Sequence, residues 1–145
     1  MYLARKSSAN SSTRPWATAP LVLYWTALCV GTHLPGSAFS APLVVSDKVL
    51  HFLAYAGLGL LLAALLPLFG ARDGRASWGA LAIVIVYGAF DELGQVLVPG
   101  RTAELADWLA NVAGAVTGVT CYQLTRLTIS EVVFRPRLQK KPSPP

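Results

Sequence analysis

The sequence predicts an all-α membrane protein: a bundle of four transmembrane helices with both termini cytoplasmic and a disordered basic tail. Three observations carry this. Hydrophobic residues make up 54% of the 145 and charged residues only 13%, about half the ~25% usual in soluble domains. Four apolar stretches each approach the roughly 20 residues that a helix needs to cross about 30 Å of hydrocarbon. Ten of the twelve Lys and Arg residues fall on one side of the membrane if the chain crosses four times. The length fits one domain. The composition argues against a water-soluble globule, and against a nucleic-acid partner despite a net charge of +5.

Residues 1–14, rich in Ser, Ala and Asn, read as a disordered cytoplasmic N-terminus. The membrane domain follows over residues 15–126. Its first span runs from about Trp16 to Leu34 and is closed by Pro35-Gly36. A cleavable signal peptide is the competing reading for this segment, from Arg5, Lys6 and Arg14, the apolar run and Ala38-Phe39-Ser40. That small-x-small site lies ten residues beyond Val30, and the apolar run is nearly long enough to span, so the span is preferred. The second span runs from about Val49 to Phe69, the third from about Trp78 to Val98 and the fourth from about Asp107 to Thr125. Gly70 to Arg75 separates the second from the third, and Pro99-Gly100-Arg101 the third from the fourth. Residues 127–145 form a basic, Pro-rich cytoplasmic tail for anionic headgroups. Within it Leu127 to Phe134 could extend a helix, and Pro142-Ser143-Pro144-Pro145 cannot. Cys29 and Cys121 fall toward opposite leaflets, so no disulfide is expected between them.

Polar residues gather at one depth, near the outer interface. Asp47, His51 and Tyr55 are four residues apart and share one face of span two, with Lys48 beside them. Asp91, Glu92 and Gln95 lie at the outer end of span three. Arg101 lies in the following loop, and Asp107 and Asn111 open span four. With Glu104, five acids face only Lys48 and Arg101 on this side, a net −3, against +8 on the inner side. An ionisable group costs roughly 2.5–3.5 kcal/mol at the centre of a membrane helix on insertion scales. Asp91 and Glu92 lie about 10 Å inside their span, so they should face the bundle interior, with His51, Lys48 and Arg101 as available partners.

Each residue alone has a structural reading. Ser46 and Asp107 can cap helices, Asn111 can bond between helices, and Tyr55 and Trp108 can anchor at the interface. The set together is more than a bundle needs. Gly114 and Gly118 share a face of span four with Asn111 and invite a close helix, with Gly57 and Gly59 of span two as its receivers.

The run Asp47-Lys48-Val-Leu-His51-Phe-Leu-Ala-Tyr55-Ala-Gly57-Leu-Gly59 resembles the first motif of VanZ-like membrane proteins. Asp91-Glu92-Leu-Gly-Gln95 with Val98-Pro99-Gly100-Arg101 resembles the second, and Asp107-Trp-Leu-Ala-Asn111-Val-Ala-Gly114 with Gly118 the third. The resemblance covers about Asp47 to Val119 in order and spacing. It implies a multi-pass protein of the bacterial cytoplasmic membrane, in a family named for a protein linked to low-level teicoplanin resistance.

Three functions follow as expectations. The first is a non-catalytic envelope protein whose outer polar pocket binds a lipid, a lipid-linked envelope-precursor headgroup or a partner protein. In it Asp47, Lys48, His51, Tyr55, Glu92, Gln95, Arg101, Asp107 and Asn111 form the ligand site. The second is an intramembrane transferase or hydrolase on a lipid- or isoprenoid-phosphate. His51 would be its acid or base, Asp47 would orient it, and Asp91 or Glu92 would be the paired carboxylate. Ion movement ranks last because the inner halves of the spans are apolar. The carboxylates with His51 could hold a divalent cation, but no ligand spacing is specific. No metal is therefore assigned and no cofactor is named.

Overall fold

The computed structural model describes residues 17–35 and 46–138. The N-terminal segment expected to be disordered, the three cations before span one, Ala38-Phe39-Ser40 and the end of the tail lie outside them. The described residues form four helices and no strand: α1 Ala19–Thr32, α2 Asp47–Leu65, α3 Asp73–Gln95 and α4 Leu105–Leu138.

Local chemistry sets the ends. Pro20 sits in the first turn of α1, where a missing N–H costs nothing. Pro35 keeps Leu34 out of helical geometry, so α1 stops at Thr32, two residues short of the expected exit. Asp47 opens α2, where a carboxylate complements the helix dipole. Ser46 makes no side-chain cap bond, so its expected capping role is corrected; its carbonyl accepts the Val49 and Leu50 N–H groups instead. Pro67 turns the end of α2 into a 3-10 turn, Leu66–Phe69, and Gly70 stops it at φ 87°. The Pro99-Gly100 turn carries Gly100 at φ 78°, and the Arg101 N–H closes on the Val98 carbonyl, the pattern of a type II turn. α4 passes through the stretch that could extend a helix and continues to Leu138. The helix that Leu127 to Phe134 could extend therefore forms, and the disordered tail expected after it is corrected as far as 138, with Pro136 in the last turn.

α2 and α4 make the tightest seam. A Cβ at Gly114 would sit on the Phe52 carbonyl, and one at Gly118 on the Ala56 carbonyl. Gly59 accepts the Ala115 backbone, which a Cβ would meet at 2.8 Å. The expected receiver role thus holds for Gly59. Gly57 instead makes room for the Tyr24 ring of α1, whose hydroxyl donates to the Ala54 carbonyl at 2.8 Å. The core around the seam holds Leu58, Leu62, Ala63, Ala80, Val84, Ala115 and Val119. Trp25 packs edge-on against Tyr87 at 4.9 Å and ties α1 to α3.

The segment Asp47–Phe69 and the helix Gly74–Gln95 are long and apolar enough to cross a membrane. α1 is apolar but has 14 residues. The outward faces carry large apolar side chains, Leu23, Trp78, Phe90 and Leu97 among them, as suits a protein whose solvent is lipid. Both cysteines are free and exposed.

Candidate functional site

The C-terminal ends of α1 and α3 and the N-terminal ends of α2 and α4 meet at one end of the bundle. Six polar side chains are buried there: His51, Asp91, Glu92, Gln95, Asp107 and Asn111. They divide into two networks and a mouth.

The first network joins α2, α3 and α4. Glu92 accepts with both oxygens: Oε1 from the Asn111 amide at 3.3 Å, and Oε2 from the Glu104 backbone N–H at 3.4 Å. Asn111 therefore turns its Oδ1 to His51 Nδ1, at 3.0 Å. An amide oxygen only accepts, so Nδ1 carries a hydrogen. In the neutral ring, Nε2 is then left with a lone pair, and it points to Asp47 Oδ2 at 3.7 Å. Glu92 Oε1 lies 3.5 Å from the same imidazole.

The second network joins α1 and α3. Asp91 accepts from the Thr32 hydroxyl at 2.8 Å, and from Tyr87 and Gln95 at 3.4 Å each. His33 Nδ1 stands 3.7 Å from the same carboxylate. Gly94 lets the ring lie there, since a Cβ at that position would meet His33 Nε2 at 2.7 Å. Tyr55 is fully buried between the networks and stacks on Tyr87 at 6.0 Å. Its hydroxyl has no hydrogen-bond partner within normal geometry among the described residues.

The mouth is ionic. Lys48 Nζ donates to Asp107 at 2.9 Å and to Glu104 at 3.0 Å. Arg101 donates to Asp47 at 3.3 Å and, through Nε, to the Leu34 carbonyl at 3.3 Å. Among the described residues these bonds use two of its five N–H donors. Beside this mouth, between α1 and α2, opens a cleft of about 270 Å³. Ala27, Leu28, Gly31, Leu50 and Ala54 make its apolar wall, and Thr32, Asp47, His51 and Arg101 its polar edge. Its volume is near the lower end of the ~300–1,000 Å³ usual for ligand pockets.

Residues 6–126 match the model of the VanZ/LLP1 family, which is most of the chain and includes every residue of the site. The chain belongs to the VanZ/LLP1 family. Among curated proteins and solved structures, nothing matches it.

In this VanZ-family membrane protein every site residue expected from the sequence reaches the same end of the bundle, but several pairings differ. Arg101, expected beside the buried acids, holds Asp47 and the exit of α1 instead. Lys48 pairs with Glu104 and Asp107, leaving His51 as the one expected partner that reaches Glu92. Tyr55 is a core residue and not an interface anchor, because its face of α2 points at α3. Trp108 is half-buried and donates its indole N–H to the Ile85 carbonyl at 3.3 Å. The sequence reading missed Thr32, His33 and Tyr87. The signal was present: Thr32-His33 lies at the outer end of an apolar span, at the depth of the other polar groups, but next to Pro35 it reads as a span exit.

Proposed function

We propose that this VanZ-like envelope protein uses the cleft to bind an amphiphile, either a membrane lipid or a lipid-linked envelope precursor. The chain lies beside α1 and α2, and the headgroup sits at the polar edge. The observation that carries the reading is the cleft itself, apolar along its wall and charged only at one rim. An apolar wall gains by covering an acyl or isoprenoid chain, while Arg101, Asp47 and His51 offer donors and acceptors to a headgroup. The protein then sits in the bacterial cytoplasmic membrane with four spans, both termini cytoplasmic and the cleft facing outward. The cation asymmetry of the sequence supports that orientation. Reporter fusions after Arg75 and after Arg137 should read cytoplasmic, and one after Pro99 external. Tolerance to a teicoplanin-type glycopeptide is the phenotype the family name supplies for testing.

The direct test is native mass spectrometry of full-length protein taken from membranes. Wild type should carry a bound amphiphile. Ala27→Trp, which fills the cleft, and Arg101→Gln, which removes the headgroup donor, should each lose most of it. Equal retention in all three would contradict the reading, and a captured protein in place of a lipid would move it to a partner interface.

One observation favours a second reading. The Glu92–Asn111–His51 chain orients the imidazole so that, in the neutral ring, the Nε2 lone pair lies at the cleft edge. That is the arrangement a hydrolase or transferase needs to activate a hydroxyl against a lipid phosphate. Turnover of such a lipid, lost in His51→Gln, would decide for it.

A further inference from the structure

We propose that Asp47, His51 and Asp107 form a divalent-cation site at the mouth of the cleft, suited to a borderline ion such as Zn²⁺ or Mn²⁺. One ligand atom from each lies within 4.8 Å of the others, from two helices that pack directly against each other. Nothing in the amphiphile reading requires this ion, and the proposal stands without that reading.

The His51 ring supplies the independent argument. It is 4% exposed, its Nδ1 hydrogen is committed to Asn111, and in the neutral ring Nε2 presents a lone pair to the Asp47 carboxylate. In this tautomer no hydrogen lies between the two acceptors 3.7 Å apart, although Arg101 donates to the same Asp47 oxygen, and a cation held by both would join them. The fixed hydrogen on Nδ1 is also what orients a metal-binding imidazole elsewhere, where the distal nitrogen bonds an acceptor and the other bonds the ion.

The acids differ in spare capacity. Glu92 has a donor on each oxygen, and Asp91 is held by Thr32, Tyr87 and Gln95. Among the described residues Asp47 and Asp107 each have one oxygen bonded, to Arg101 and Lys48 respectively. Lys48 is half-exposed and already bonded to Glu104, so it can leave Asp107 and keep an ionic partner. The surrounding charge favours a cation: Asp47, Asp91, Glu92, Glu104 and Asp107 outnumber Lys48 and Arg101. One imidazole with two carboxylates is a mixed nitrogen and oxygen donor set, which suits these ions more than Mg²⁺ or Ca²⁺.

The test uses full-length protein in detergent, stripped with a chelator, with Zn²⁺ or Mn²⁺ alone as the probe. Wild type should bind one ion per chain. Asp47→Asn, at a half-exposed position that leaves the core intact, should weaken binding tenfold or more, and so should His51→Gln. Co²⁺ in place of Zn²⁺ should give visible absorption bands that His51→Gln abolishes. The double variant Cys29→Ser/Cys121→Ser should bind as wild type. Lack of stoichiometric binding by wild type would overturn the proposal. So would full affinity in Asp47→Asn, loss of the ion in the double cysteine variant, or nitrogen NMR showing His51 protonated on both nitrogens with the metal present.

Discussion

Two neighbouring regions of this bundle are held together by different means. Along the middle, α2 and α4 meet backbone to backbone, with Gly114, Gly118 and Gly59 against Phe52, Ala56 and Ala115. At the polar end, the contacts are hydrogen bonds and ion pairs among side chains from four helices and the connecting turn. In lipid, apolar side chains gain nothing by leaving one apolar environment for another, so the glycine seam works through close packing. The polar end is the reverse. Burying Asp91 and Glu92 is costly unless donors surround them, and the fold supplies three to Asp91 and one to each oxygen of Glu92. The seam tolerates no added atom. The polar end tolerates shape changes but not a change of donor into acceptor or the reverse.

Substitutions that add a side chain to the seam, or swap a donor or acceptor at the polar end, should separate the two. Gly118→Val drives methyl groups into the Ala56 carbonyl and should cost about 3 kcal/mol or more in a detergent melt. A wild-type melting curve would mean that α2 and α4 do not approach this closely. Glu92→Gln keeps the shape but turns one acceptor into a donor facing Asn111, His51 and the Glu104 N–H. It should lose about 2 kcal/mol. Unchanged stability would show that these donors have other partners. Thr32→Val keeps the volume and removes the shortest bond to Asp91, at a cost of about 1 kcal/mol. Tyr55→Phe is the smallest case. The hydroxyl it deletes has no partner among the described residues, so stability should stay within ~1 kcal/mol of wild type, on the more stable side. A clear loss would reveal a partner for that hydroxyl.

The sequence made the seam and most of the polar end legible, and for a common reason: both are written in helical spacing. Gly114 and Gly118, or Asp47, His51 and Tyr55, declare a face without any knowledge of the fold. What spacing does not carry is which face meets which. Arg101 reads as the natural partner of the buried acids, yet the tight turn at Gly100 aims it at Asp47 and the end of α1. Gly57 and Gly59 read alike, yet they lie two residues apart and so point to different neighbours, Tyr24 and Ala115. His33 and Thr32 were hidden because a short polar pair before a proline looks like the end of a helix. Their role appears only once α1 is laid against α3.

That placement of α1 is therefore the point on which the account turns: without it Asp91 loses its nearest donor and the cleft loses a wall. Its most direct measurement is disulfide formation between Thr32→Cys and Asp91→Cys, in a background lacking Cys29 and Cys121, in native membranes under mild oxidant. The oxygen of Thr32 lies 2.8 Å from Asp91 Oδ1, so the pair should crosslink within a single chain, directly or through a short bifunctional thiol reagent. A control pair at Thr32 and Ser77, at the opposite end of α3, should not. Failure of the first pair to close, or equal closure of both, would contradict a polar end built from all four helices.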